Sequence, residues 1–136
     1  MKVEIKRARD AIVRVKPKAL IFGGILIFPH PVKELADVAR ENGAVVGFDG
    51  SHVLGLITGK RFQAPLKEGA NALFGSTHKS LFGPQGGIIL ANKEHGEVIK
   101  ARIYLRFVDN AHWNRIAALT LALAEVKRFS GEIWLH

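Results

Sequence analysis

Two short apolar runs, Ala19-Leu20-Ile21-Phe22 and Ala44-Val45-Val46-Gly47-Phe48, bracket a stretch that reads as a helix, and this constrains the fold most. Pro31 suits the first position of that helix. Glu34, Leu35, Val38 and Ala39 continue it, and Asn42-Gly43 is a C-terminal stop. Strand, helix, strand at this spacing is one βαβ unit, whose crossover is almost always right-handed. Unbroken apolar runs are the pattern of strands buried on both faces. A third run, Ala70 to Ser76, ends at Thr77-His78-Lys79, and a fourth spans Gly87 to Ala91. The loop between them is shorter than the roughly dozen residues a parallel crossover needs, so the fourth strand should run antiparallel. The expectation is an α/β, three-layer sandwich with a mostly parallel sheet and one antiparallel strand.

The flanking segments fit around that sheet. Glu4 to Val15 reads as a basic amphipathic helix with Ile5, Ala8, Ile12 and Val15 on one face, ended by Lys16-Pro17. Ile25 to His30 reads as a packed apolar loop, Val53 to Ile57 as a short apolar segment, and Phe62 to Gly69 as a loop. Lys93 to Leu105 and Ala111 to Phe129 read as helices, the second stopped by Gly131 ahead of a short tail. There is no internal repeat and no linker, so residues 1–136 are expected to form a single domain.

Composition narrows the class. With 48% apolar residues the chain can bury a core, and with no cysteine it has neither a disulfide framework nor thiolate metal sites, as fits a reducing cytoplasm. No apolar run reaches membrane-span length. The formal charge of +8 raises the question of nucleic acid, but the basic residues are spread along the chain and not interleaved with aromatics. An anionic phosphorylated ligand or a charge-rich surface explains the charge as well. His30, His95, His112 and His136 lack metal-ligand spacing and read as structural or surface residues, so no metal is expected.

The functional signal lies at the strand ends. Three parallel strands put their C-terminal ends along one edge, where ligands bind in open α/β sheets. Those ends carry Gly23-Gly24, Asp49 and Thr77-His78-Lys79. Neighbouring strands are about 4.8 Å apart, so Asp49 and Lys79 can face one ligand the size of a small aromatic ring. A lysine in a partly dry pocket has a lowered pKa, and its neutral amine attacks carbonyls. A carboxylate opposite would pair with a protonated ring nitrogen, which suggests pyridoxal 5'-phosphate. A structural salt bridge, or a surface lysine in a turn, would use the same residues.

The motifs are more specific. Asp49-Gly50-Ser51-His52 with Gly55-Leu56-Ile57, then Ser76-Thr77-His78-Lys79-Ser80 with Gly83-Pro84-Gln85-Gly86-Gly87, closely resemble serine hydroxymethyltransferases. That family has fold type I of the pyridoxal-phosphate enzymes, the aspartate aminotransferase fold. The resemblance runs from about Lys16 to about Glu125. It implies that the chain is the central part of the cofactor-binding large domain. It implies further that Lys79 is the Schiff-base lysine and Asp49 the partner of the pyridine nitrogen. His52 would lie near the cofactor's phenolic oxygen, and Thr77 and His78 would shape the pocket. Gly83, Gly86 and Gly87 are read as turn residues.

The sequence also departs from the family pattern. Ile25-Leu26-Ile27 follow Gly23-Gly24 where a polar residue is usual, Gln85 stands where many members have arginine, and Val108-Asp109-Asn110-Ala111-His112 replaces a glycine-rich segment. These features fit an archaeal-like branch, and the low Cys, Met and Gln content fits a thermophile. Full members are much longer, and the resemblance places their phosphate cup, ring-stacking residue and substrate-carboxylate arginine outside this stretch. Three readings therefore stand. In the first, the chain is part of an enzyme interconverting serine and glycine with tetrahydrofolate, with little or no activity alone. In the second, it is a non-catalytic domain that needs a companion chain or works as a homodimer. In the third, it is a basic nucleic-acid-binding module.

Overall fold

The computed structural model describes residues 3–104 and 106–133, the side chains of the last four excepted. The elements are α1 (Ile5–Val15), β1 (Ala19–Gly23), α2 (Val32–Glu41), β2 (Val45–Asp49), α3 (Leu54–Thr58), β3 (Ala72–Ser76), β4 (Gly87–Ala91), α4 (Lys93–Ile103) and α5 (Trp113–Ile133). The strands form one sheet in the order β1-β2-β3-β4. β1, β2 and β3 are parallel, and β4 returns antiparallel to β3. The fold is therefore α/β with a mostly parallel sheet, as the spacing of the apolar runs predicts.

Register divides the sheet into two unlike faces. Phe22 pairs with Phe48, Phe48 with Leu73, and Leu73 with Leu90, so these side chains share one face. Phe22, Val46, Phe48 and Leu73 on that face pack with Val32, Leu35, Ala36 and Ala39 of α2 in the main core. Ile12 of α1 and Val126 of α5 join the same cluster. Opposite them lie Ile21, Val45, Asp49, Phe74 and Ile89. There α4 covers only the β4 side, where Ile99 and Ile103 line a cleft with Phe74 and Ile89.

Burial of β1 and β2 on both faces is therefore not observed: Ile21 is 57% exposed and Val45 44%. No described element lies over the β1 and β2 half of that face. The loop after β1 also differs from expectation. Ile25 is 75% exposed and Ile27 61%, and only its second half packs inward. Phe28 stacks on His30 with ring centroids 5.0 Å apart, and His30 meets Phe48 edge-on at 5.9 Å. On α1, Ile12 is buried, but Ile5 and Val15 face solvent, so the packed stripe is narrower than its apolar pattern.

Ends and turns follow local rules. α1 closes on Lys16, whose N–H still donates to the carbonyl of Ile12 and whose left-handed backbone then turns the chain out of the helix. Residues 53–57, expected only as a short apolar segment, form the N-cap and the first four residues of the five-residue α3. Gly131 does not stop α5, which continues to Ile133. Leu105, the expected end of α4, and the tail 134–136 with His136 lie outside the described residues. Among the described residues, no helix is long and apolar enough to cross a membrane.

Candidate active site

Asp49 is the last residue of β2, in register with Gly23 on one side and Phe74 on the other. Its main chain is fixed by Gly24, whose N–H donates to the Asp49 carbonyl at 2.9 Å. Its carboxylate is fixed by its own turn: Ser51 N–H donates to Oδ1 at 2.9 Å. This is the local bond an aspartate makes two residues ahead in a turn. Among the described residues no donor is within hydrogen-bond distance of Oδ2. Gly50 N–H donates to the carbonyl of Phe74 at 2.7 Å, which ties the turn to β3. Gly75 lies so close to this turn that a Cβ there would stand 3.0 Å from the Ser51 nitrogen.

His52 sits in that turn, just ahead of α3. Lys79 lies three residues beyond the end of β3. The two side chains meet, with Nζ of Lys79 3.5 Å from Nε2 of His52. A protonated lysine has only hydrogens to offer, so a hydrogen bond here requires Nε2 to be the acceptor and the ring proton to lie on Nδ1. Lys79 is exposed, so the described residues do not build the partly dry pocket that the sequence suggests for it.

The residues around Lys79 form a tight loop. Thr77 is 2% exposed, and its hydroxyl donates to the carbonyl of Pro84 at 2.6 Å. Its N–H donates to Gly86 O, and its carbonyl accepts from Gly83 N–H, so Thr77 pins both limbs of the loop. His78 is exposed, and its Nδ1 accepts from Gly86 N–H at 3.5 Å. Phe82 N–H donates to the Lys79 carbonyl at 3.0 Å, closing a turn, and Phe82 itself adopts a left-handed backbone at φ 59°. Gly83 and Gly86 act as turn residues. A Cβ at Gly83 would approach the Thr77 carbonyl to 2.9 Å.

Two further residues take part that the motifs do not single out. The hydroxyl of Ser80 accepts from Gly55 N–H at 3.1 Å, across 25 positions of sequence. Ser51 supplies the donor to Asp49. Only the Asp-x-Ser spacing of the latter was a readable signal. Beside the site, the cleft between α4 and the sheet has a volume of 990 Å³ and reaches Ser51 and Ser76. A second cavity of 660 Å³ lies on the far side of the glycine loop, between Thr77, Gly86, His112 and Arg115. Neither is lined by Lys79, His52 or Asp49.

The fold is α/β with a mostly parallel sheet, and the amine, imidazole and carboxylate singled out in the sequence stand at or just beyond the carboxyl ends of its adjacent strands β2 and β3. The comparisons make the class specific. The model of the serine hydroxymethyltransferase family matches residues 2–111. A serine hydroxymethyltransferase of Methanocaldococcus jannaschii is 48% identical over 130 residues, covering 95% of this chain and 30% of that protein. That of Methanosphaera stadtmanae is 49% identical over 130 residues, covering 95% and 31%. The Thermococcus kodakarensis protein is 46% identical over 132 residues, covering 93% and 31%. The chain belongs to the serine hydroxymethyltransferase family, and it spans about three-tenths of the length of these curated relatives, which are archaeal.

Proposed function

We propose that this chain carries the lysine-and-acid side of a pyridoxal-phosphate site in a serine hydroxymethyltransferase, acting on serine and glycine with tetrahydrofolate. In this reading it is the central part of the large domain. Turnover requires groups contributed by polypeptide beyond this stretch, whether in the same chain, a companion chain or the second subunit of a homodimer. The exposure of Lys79 supports that part of the reading, since the described residues alone do not shield the amine.

The observation that carries the proposal is the 3.5 Å approach of Lys79 to His52, in the segments that follow two adjacent parallel strands, the first of which ends at Asp49. The donor set fits the two ends of the cofactor ring: an accessible amine for the aldehyde, and a carboxylate with one oxygen fixed and the other without a donor among the described residues for the ring nitrogen. When bound, pyridoxal phosphate supplies an electrophilic carbon and a ring that accepts electrons from the substrate.

This chain's own residues have separate tasks in that chemistry. Lys79 offers the nucleophilic nitrogen once it has lost its proton. The imidazole of His52, in the tautomer with its proton on Nδ1, presents Nε2 as an acceptor 3.5 Å from Nζ and would take a proton from it on closer approach. Asp49 keeps a cationic ring nitrogen charged, because an opposite charge nearby favours the ionised form of both partners. Thr77 and the glycine loop hold the strand tip on which Lys79 stands.

The test is covalent attachment. The protein is incubated with pyridoxal phosphate, reduced with borohydride and mapped by mass spectrometry. The modification should concentrate on Lys79 over other exposed lysines such as Lys60 and Lys93, and Lys79→Ala should abolish the specific product. Equal labelling of all three lysines would overturn the proposal.

A further inference from the structure

We propose that Ser80 is a positioning residue, whose hydroxyl holds His52 against Lys79 through the first turn of α3; the inference rests on the site reading above. The first N–H groups of a helix have no partner within it. In α3 the Gly55 N–H finds one at a distance in sequence, the Oγ of Ser80 at 3.1 Å. Gly55 is buried, so an unmet donor there would be costly.

The geometry makes this bond a brace between the two halves of the site. His52 stands in the turn from Gly50 to Val53, where Val53 N–H donates to the Gly50 carbonyl at 2.9 Å. At its upstream end, the turn is tied to β3 by the bond from Gly50 to Phe74. At its downstream end it runs straight into α3, and the side-chain tie from that first turn to the lysine loop is Ser80. Ser80 is the neighbour of Lys79 in sequence, and Leu81 beyond it is 1% exposed in the core. The serine therefore joins the segment bearing the imidazole to the segment bearing the amine. Removal of the hydroxyl leaves the turn bearing His52 hydrogen-bonded to β3 at its Gly50 end, with Val53 and Leu54 packed in the core but no side-chain hydrogen bond from the start of α3 to the lysine loop among the described residues.

The brace acts on chemistry that is a simple condensation. The neutral Nζ adds to an aldehyde carbon, its two hydrogens leave with the aldehyde oxygen as water, and a carbon–nitrogen double bond remains. The geometry of His52 bears on the removal of those protons.

Two readings on the ligand-free and ligand-exposed protein test the proposal. In the native protein, the ring-nitrogen NMR resonances of His52 should shift when Lys79 is replaced by Gln. In Ser80→Ala that response should largely vanish, and Ser80→Thr should restore it. A merely structural role would lower the melting temperature and leave the response intact, which would overturn the inference. Attachment of pyridoxal phosphate at Lys79 should slow about fivefold in Ser80→Ala, the scale of one lost hydrogen bond, and recover in Ser80→Thr. If the native protein shows no selective attachment at Lys79, the site reading fails. If it does, and Ser80→Ala is unchanged in both readings, the positioning role alone fails. Should Ser80→Ala not unfold cooperatively, Ser80→Cys, of similar size and weaker polarity, gives the same two readings.

Discussion

Gly23 lies directly against the carbonyl of Asp49: a Cβ at Gly23 would stand 2.1 Å from that oxygen. The contact is possible because residue 23 has no side chain and a left-handed backbone at φ 88°. It sets the tip of β2, and with it the carboxylate, in a fixed place beside β1. Gly23→Ala should cost about 3 kcal/mol, combining backbone strain with an overpacked contact. Gly24→Ala is the control, with a similar φ of 84° and nothing within 4 Å of the new atom. It should cost only the strain, about 1 kcal/mol. Urea denaturation of both variants checks the difference, and equal losses would contradict the close approach.

Asn71 completes the junction of β2 with β3. Its side-chain Oδ1 accepts from Val46 N–H at 2.7 Å, and its own N–H donates to the Val46 carbonyl at 2.7 Å. Val46 is fully buried, so Asn71→Ala strands a donor in the core. A loss of about 1–3 kcal/mol is expected, the desolvation cost of an unmet N–H. The Val46 amide should also exchange with solvent faster than its neighbours in β2.

Lys16 ends α1 with φ 49°, a conformation in which an L side chain is strained. Lys16→Gly should therefore stabilise the protein by up to about 1 kcal/mol, since glycine takes this cap position freely. Thermal unfolding reads the change as a rise in melting temperature. A fall would mean that the lysine stem contributes packing that its exposure does not suggest.

Much of this was legible in the sequence, and the limits have physical causes. The βαβ unit and the antiparallel fourth strand follow from chain reach, because the loop after Lys79 is too short for a crossover. The placing of Asp49 and Lys79 on neighbouring tips follows from the same topology. One-sided exposure of Ile21 and Val45 was not legible, since an apolar run looks the same whether or not something covers its second face. α5 passes Gly131 because one glycine costs only about 1 kcal/mol against a helix already formed. The bond from Ser80 to Gly55 joins residues 25 apart, and no local pattern announces it.

The measurement that bears most directly on the shared site compares two aldehydes in the native protein and in Asp49→Asn. Pyridoxal carries a ring nitrogen, and salicylaldehyde offers the same phenol and aldehyde without one. If Asp49 and Lys79 grip one ring, Asp49→Asn should weaken attachment of pyridoxal to Lys79 about tenfold, the scale of a charged hydrogen bond, and leave salicylaldehyde unchanged. Equal effects on the two aldehydes, or none on either, would contradict the account.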